Sequence, residues 1–337
     1  MRVALLLGRR LGTALPILLV VSALLFAALR ALPVDPAAMS MPPNATLVEI
    51  DAQRRAMGLD RPLPVQYAIW LRGALRGNFG QSIQLRRSAA ALATQALPAT
   101  VELAVAAMLI ASGLGLGGGF VLFALRGTPA EPVADLGTTL LLSLPDFLWA
   151  LLLLVVFGVL LPVLPFVGRI GPDFALHGAT GFLLLDTLLA GSPAAFASAL
   201  ADLALPAAAL GIAFAPAIMR VLRSSLAQVW HQDYIVQARL RGIGERRLLL
   251  VHAARNAILP TLALMGVQFG FLFGGTLLVE VIYSFPGIGN LMVDAVHNAD
   301  LPVIQVVGIA YCVVVLAISM AVDALVLTLD PRLRRLR

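Results

Sequence analysis

Residues 220–260 read RVLRSSLAQVWHQDYIVQARLRGIGERRLLLVHAARNAILP. The stretch holds seven arginines against two acids, Asp233 and Glu245, and long apolar segments flank it on both sides. A basic island between hydrophobic spans has the character of a cytoplasmic loop, because arginine-rich connections are retained on the inner face of a membrane. The spacing also predicts helix. Tyr234, Ala238 and Gly242 fall four residues apart and share one helix face. Gly242-Ile243-Gly244 can stop that helix, since glycine reaches positive φ without a Cβ clash. Glu245 suits the N-terminus of a second helix, and Pro260 is expected to mark the next boundary.

Working outward, the composition agrees with a membrane setting. The chain is 60% hydrophobic and only 12% charged, with mean hydropathy +0.94. A soluble domain carries about 25% charged residues, so an all-α polytopic membrane protein is expected. The net charge of +6 does not indicate a nucleic-acid partner, because the arginines sit mainly in loops between apolar runs. Cys312 is the single cysteine, which excludes an intrachain disulfide or a cysteine-based metal site.

Six spans are expected: Leu11–Leu29, Thr100–Leu125, Leu136–Val163, Leu203–Met219, Thr261–Val279 and Val303–Leu327. The first is too long for a signal-peptide core and reads as a retained anchor. The second carries Glu102 and a glycine run, Gly113–Gly119, suited to close helix approach. The third is interrupted at Ser143-Leu-Pro145-Asp146-Phe147. An acid inside a span points to function, but Pro145 can equally end one helix and Asp146 cap the next; both readings stay open. Residues 126–135 read as a short inner loop, and 30–99 as short helices near Glu49–Met57 and Val65–Arg76. Phe182–Ala190 is apolar but too short to span. Residues 280–300 hold Glu280, Asp294 and Asp300 and no arginine, against the arginines of 220–260; this contrast is the best internal evidence for orientation. Residues 288–298 suit a short amphipathic helix.

The 220–260 stretch resembles the cytoplasmic loop of type I ATP-binding-cassette (ABC) importer permeases, in their dipeptide/oligopeptide (nickel) branch, B-type subunit. The matching residues are Asp233-Tyr234, Ala238-Arg239, Gly242, Glu245-Arg246-Arg247, His252-Ala253, Arg255-Asn256-Ala257 and Leu259-Pro260. Val236 stands where the general motif has Glu, and Gly242 and Pro260 are further apart than in sugar importers. Gly58-Leu-Asp60-Arg-Pro62 through Gln66-Tyr67 is similar to the family's periplasmic segment, and Glu280 through Tyr283, Pro286-Gly287 and Ala295 to its outer stretch. The resemblance implies a six-helix, MetI-like transmembrane fold. It divides the chain into an N-terminal helix with a periplasmic segment (1–99), a transmembrane domain (100–330) with a coupling loop at 222–258, and a tail (331–337). It implies ATPase coupling through Tyr234, Ala238, Arg239, Arg241, Gly242 and Glu245, and an outer gate or pathway near Asp146, Glu280, Pro286 and Gly287. Glu280 is expected to order the Pro286-Gly287 turn rather than bind substrate.

The implied partners are a second permease, two ATPase subunits that carry ATP and Mg, a periplasmic or lipid-anchored solute-binding protein, and membrane lipid. This chain itself would hold no cofactor and no metal. The implied location is the bacterial inner membrane, multi-pass, with both termini in the cytoplasm. No hydrolase or metalloprotease motif and no Walker A sequence is present, so no catalytic residue is assigned. His177, His231, His252 and His297 are scattered. Two other classes remain: an ion-coupled secondary transporter, or a membrane-embedded enzyme using Asp146 and Asp323.

Overall fold

The computed structural model describes the backbone of residues 2–33, 35–42, 44–174, 178 and 180–329, with side chains from residue 12 to 324 of these. The tail at 331–337, Asp330 and His177 lie outside the described residues. The ordered elements are helical: α1 (Arg2–Arg30), α2 (Leu47–Ala56), α3 (Leu63–Ala74), α4 (Ala89–Ala124), α5 (Glu131–Ser143), α6 (Asp146–Leu153), α7 (Leu183–Leu189), α8 (Pro193–Trp230), α9 (Asp233–Leu240), α10 (Ala254–Ile282), α11 (Ile288–His297) and α12 (Leu301–Leu329). A π-helical turn, Leu154–Leu160, continues α6, and another, Leu248–Ala253, leads from Glu245–Arg247 into α10. Five helical stretches are long and apolar enough to cross a membrane, and the bent pair α5/α6 brings the number to six if it counts as one span.

The chain forms two compact units. The first comprises Met1–Pro98 and Pro286–Leu316. Here α3 packs on α1 through an aromatic cluster, with Phe26, Tyr67 and Trp70 ring centroids within 5.9 Å of one another. Tyr67 also meets the hydroxyl of Ser22 at 2.8 Å. Asp300, buried ahead of α12, accepts from Ser82 Oγ (2.5 Å) and from the Gln84 N–H (3.3 Å).

The second unit comprises Ala99–Phe285 and Ala317–Arg337. The glycines of α4 let it lie directly against α8. A methyl group on Gly115 would fall 2.6 Å from Ile218, and one on Gly119 2.9 Å from Leu222. Without hydrophobic drive between helices in lipid, this backbone approach supplies the packing. Across the same unit, Glu102 accepts from Arg169 (2.5 Å) and from the Leu184 N–H (2.9 Å), fastening the segment before α7 to α4.

Several boundaries differ from the sequence expectation. Helix α8 begins ten residues before Leu203, capped by Ser192, and continues through residues 220–230, so the first part of the basic stretch is not loop. Asp202 is buried within the helix and hydrogen-bonds Ser198 one turn back. Residues 131–135 open α5 rather than closing a loop. Pro260 is no boundary. It lies inside α10, and the irregular backbone falls at Leu248–Ala253 instead. Proline removes a single N–H, and a helix packed against neighbours can continue past it.

Candidate functional site

Helix α9 sits where the basic stretch predicted it. Gln232 has extended backbone at its N-cap, and Asp233 opens the first turn where a negative charge opposes the helix dipole. The C-terminus closes as a Schellman motif. Gly242, at φ 80°, donates to the Arg239 carbonyl (2.9 Å), and Ile243 donates to that of Ala238 (3.3 Å). Gly244 then caps the turn that starts at Glu245.

Ile235 anchors the helix. It is fully buried with Phe123 of α4, Leu222 and Leu226 of α8, and Ala253 and Ala257 beyond the loop. Tyr234 and Ala238 are half-buried on the same inward side, and the Tyr234 hydroxyl accepts from Asn256 Nδ2 at 2.7 Å. The shared face of Tyr234 and Ala238 therefore seats α9 on the chain's own helices. The outward side presents Asp233, Val236, Gln237, Leu240 and Arg241, with Leu240 83% exposed. Arg239 and Glu245 are exposed and pair with each other, Nε to Oε1 at 2.7 Å.

Two features here escaped the sequence reading. Trp230, the last residue of α8, stands between cations: Arg239 lies 5.1 Å and Arg126 4.8 Å from its ring, and Arg126 also covers Phe123 at 3.7 Å. Burial, then the like charge of Arg239, lowers the Arg126 pKa. An arginine or tryptophan just past an apolar run was the available signal. Second, Arg223 of α8 pairs with both Glu131 and Asp135 of α5, and Arg220 donates to Thr139 Oγ1 at 2.8 Å. Glu131, Asp135 and Thr139 recur every four residues, so they form one face of α5.

At the far end of α5 the third span breaks. Leu144 and Pro145 are extended, as the residue before proline and a helix N-cap prefer, and the axes of α5 and α6 differ by 97°. Asp146 is the first residue of α6 and half-buried; its Oδ1 accepts from the Phe147 N–H at 2.8 Å. Its Oδ2 is turned toward Gly275 of α10, where an added methyl group would lie 2.8 Å away.

Near the end of α10, Glu280 is fully buried, and Thr100 Oγ1 donates to its Oε1 at 2.6 Å. Phe285 N–H returns to the Glu280 carbonyl (2.8 Å), with Ser284 at φ 49° in the turn between them. Tyr283 is buried and donates to the Ala150 carbonyl of α6 (2.9 Å). Pro286 and Gly287 follow, and Gly287 is the N-cap of α11. The structure does not gather the coupling residues and the Asp146 and Glu280 group into one site. Among the described residues no cluster of three or more His, Cys, Asp or Glu side chains is placed to ligate a metal ion.

Comparison with known proteins gives these features a context. Residues 113–335 match the family described as binding-protein-dependent transport system inner membrane component, and residues 3–104 match its N-terminal companion. The chain is 35% identical, over 98% of both chains, to the di/tripeptide transport system permease protein DppB of Pseudomonas aeruginosa. It is 32% identical, over 97% of both, to the glutathione transport system permease protein GsiC of Escherichia coli. A solved inward-facing structure of the MetNI methionine ABC transporter superposes with a TM-score of 0.54 at 14% identity, covering 71% of this chain and 96% of that one.

Proposed function

We propose, on the premise that this chain belongs to the binding-protein-dependent transport system inner membrane component family, that it is a permease subunit of an ATP-driven importer of small peptides. The relatives similar over nearly the whole chain are named as di/tripeptide and glutathione transport permeases. The protein is a multi-pass protein of the inner membrane. In our reading it is non-catalytic: it supplies half of the translocation pathway within residues 100–330. A second permease supplies the other half, two ATPase subunits bind ATP and Mg, and a solute-binding protein delivers the peptide. Both termini and α9 face the cytoplasm.

The observation that carries the proposal is α9 itself. It is a two-turn helix anchored by one buried residue, stopped by a glycine, and presenting an outward face with an exposed Leu240. Such a lever can transmit a push because Ile235 joins it to the ends of three membrane-crossing helices. From α8 the push reaches the third span through Arg223, Glu131 and Asp135, and the bend at Leu144–Pro145 gives that span a place to flex. Alternating access follows if ATPase closure moves α9.

The test is uptake of a radiolabelled dipeptide in cells whose own peptide permeases are deleted, with this chain and its genomic neighbours supplied. Uptake that requires ATP, and co-purification of the ATPases lost on replacing residues 233–242 with a Gly/Ser linker, is the expected result. Uptake unaffected by the replacement removes the proposal.

A further inference from the structure

Among the described residues, the acid at the broken span has no counter-charge. Asp146 makes no ion pair among the described residues, and one of its oxygens is spent on its own helix, accepting from Phe147 N–H. The other, Oδ2, faces Gly275, with Leu210 and Phe214 of α8 alongside, each 3.8 Å from where a methyl group on that glycine would be. Gly275 lies seven residues before the end of α10 at Ile282, or roughly 10 Å along the helix at 1.5 Å per residue. The carboxylate is thus set well inside a membrane-crossing helix, among apolar neighbours.

One turn along α6, Trp149 has its indole Nε1 buried with no acceptor among the described residues. Its ring lines a cavity at the bend with Gly137, Leu140, Leu141 and Leu144. An acceptor lacking a cation and a donor lacking an acceptor stand three residues apart on one helix face. Unpaired polar groups at this depth are costly. A transported solute that brings both complements relieves the cost while it passes.

We infer that Asp146 is a specificity-determining residue that holds the cationic amine of the solute at the break in the third span, while Trp149 donates to the neighbouring carbonyl oxygen. The inference rests on the importer reading above and names the solute group recognised by this chain: a free amino terminus, protonated near neutrality because its ordinary pKa is about 8. Gly275 is the complement, since any side chain there would displace the carboxylate.

The test uses the assembled transporter in proteoliposomes without its solute-binding protein, so that selectivity is that of the membrane subunits. A Gly274→Cys probe in a Cys312→Ser background is alkylated by a small maleimide in the presence of trialanine or N-acetyl-trialanine. Gly274 has open space beside it, so the probe fits. Trialanine is expected to slow alkylation at concentrations roughly tenfold or more below the acetylated peptide, the loss of one charge-assisted hydrogen bond. Asp146→Asn abolishes that preference. Gly275→Ala keeps the charge, moves only the free end of a side chain, and reduces the preference. Equal protection by the two peptides, protection by neither, or an amine preference that survives in Asp146→Asn overturns the inference. Cellular dipeptide uptake by the same proteins separates the two failures: if uptake persists, only the role of Asp146 is lost; if it is absent, the importer reading falls too.

Discussion

Gly242 is where the smallest change has the largest expected reach. Its φ of 80° is unfavourable for a residue with a Cβ, and no atom lies within 4 Å of a methyl group built there. The cost of Gly242→Val is therefore one of backbone, roughly 1–2 kcal/mol or more for a β-branched side chain, and not a clash. We expect Gly242→Val to insert normally, to unwind the end of α9, and to retain much less ATPase on affinity purification. Gly242→Asn, which tolerates this conformation, retains most of it. Equal retention by the two variants would remove the Schellman stop as the reason for glycine. Leu240 tests the opposite property. It is 83% exposed, so Leu240→Asp leaves thermal stability unchanged while weakening ATPase retention, if the outward face of α9 is what docks. Tyr234→Phe should do the reverse. It deletes the hydrogen bond to Asn256 that seats the helix, and is expected to cost about 1 kcal/mol of stability, read as a lower melting temperature of the purified complex.

At the scale of elements, α8 connects what the linear chain keeps apart. It lies against α4 along the glycines, ends in the Trp230 cation stack, and grips α5 through Arg220 and Arg223. The Arg223 pairs are part-exposed, so each contributes at most about 1 kcal/mol after solvent screening. Their expected weight is mechanical rather than energetic. Arg223→Ala should shift the melting temperature little and leave ATPase retention intact, yet lower peptide uptake per ATP hydrolysed several-fold. Arg223→Glu combined with Glu131→Arg and Asp135→Arg should recover part of the coupling. A large loss of stability in Arg223→Ala, with unchanged coupling, would make the clamp a structural fastening only.

For the whole molecule, we propose one orientation from the contrast between the arginines of 220–260 and the acids of 280–300, with 220–260 inside and 280–300 outside. In a Cys312→Ser background, a membrane-impermeant maleimide applied to spheroplasts should label Asn290→Cys and spare Gly244→Cys until the membrane is opened. The inverse pattern would turn the molecule over and detach α9 from any cytoplasmic ATPase.

The sequence by itself determined the helical, membrane-spanning class, the break at Pro145, the stop at Gly242 and the helical character of 233–240. Each follows from a local cause: apolar length against membrane thickness, a missing N–H, a backbone open to positive φ. Only the tertiary structure decided where the spans end. Helix α8 continues beyond its apolar core in both directions because Ser192 caps it and acids of α5 neutralise Arg223. Those partners lie up to 92 residues away in the chain, beyond the reach of periodicity or propensity. The same holds for Asp146. Its position after a proline marked a helix start, but that its free oxygen faces a glycine of α10 depends on how two distant helices pack. Long-range packing also turned Tyr234 and Ala238 inward, because burying Ile235 among three helix ends fixes which side of a two-turn helix remains outside.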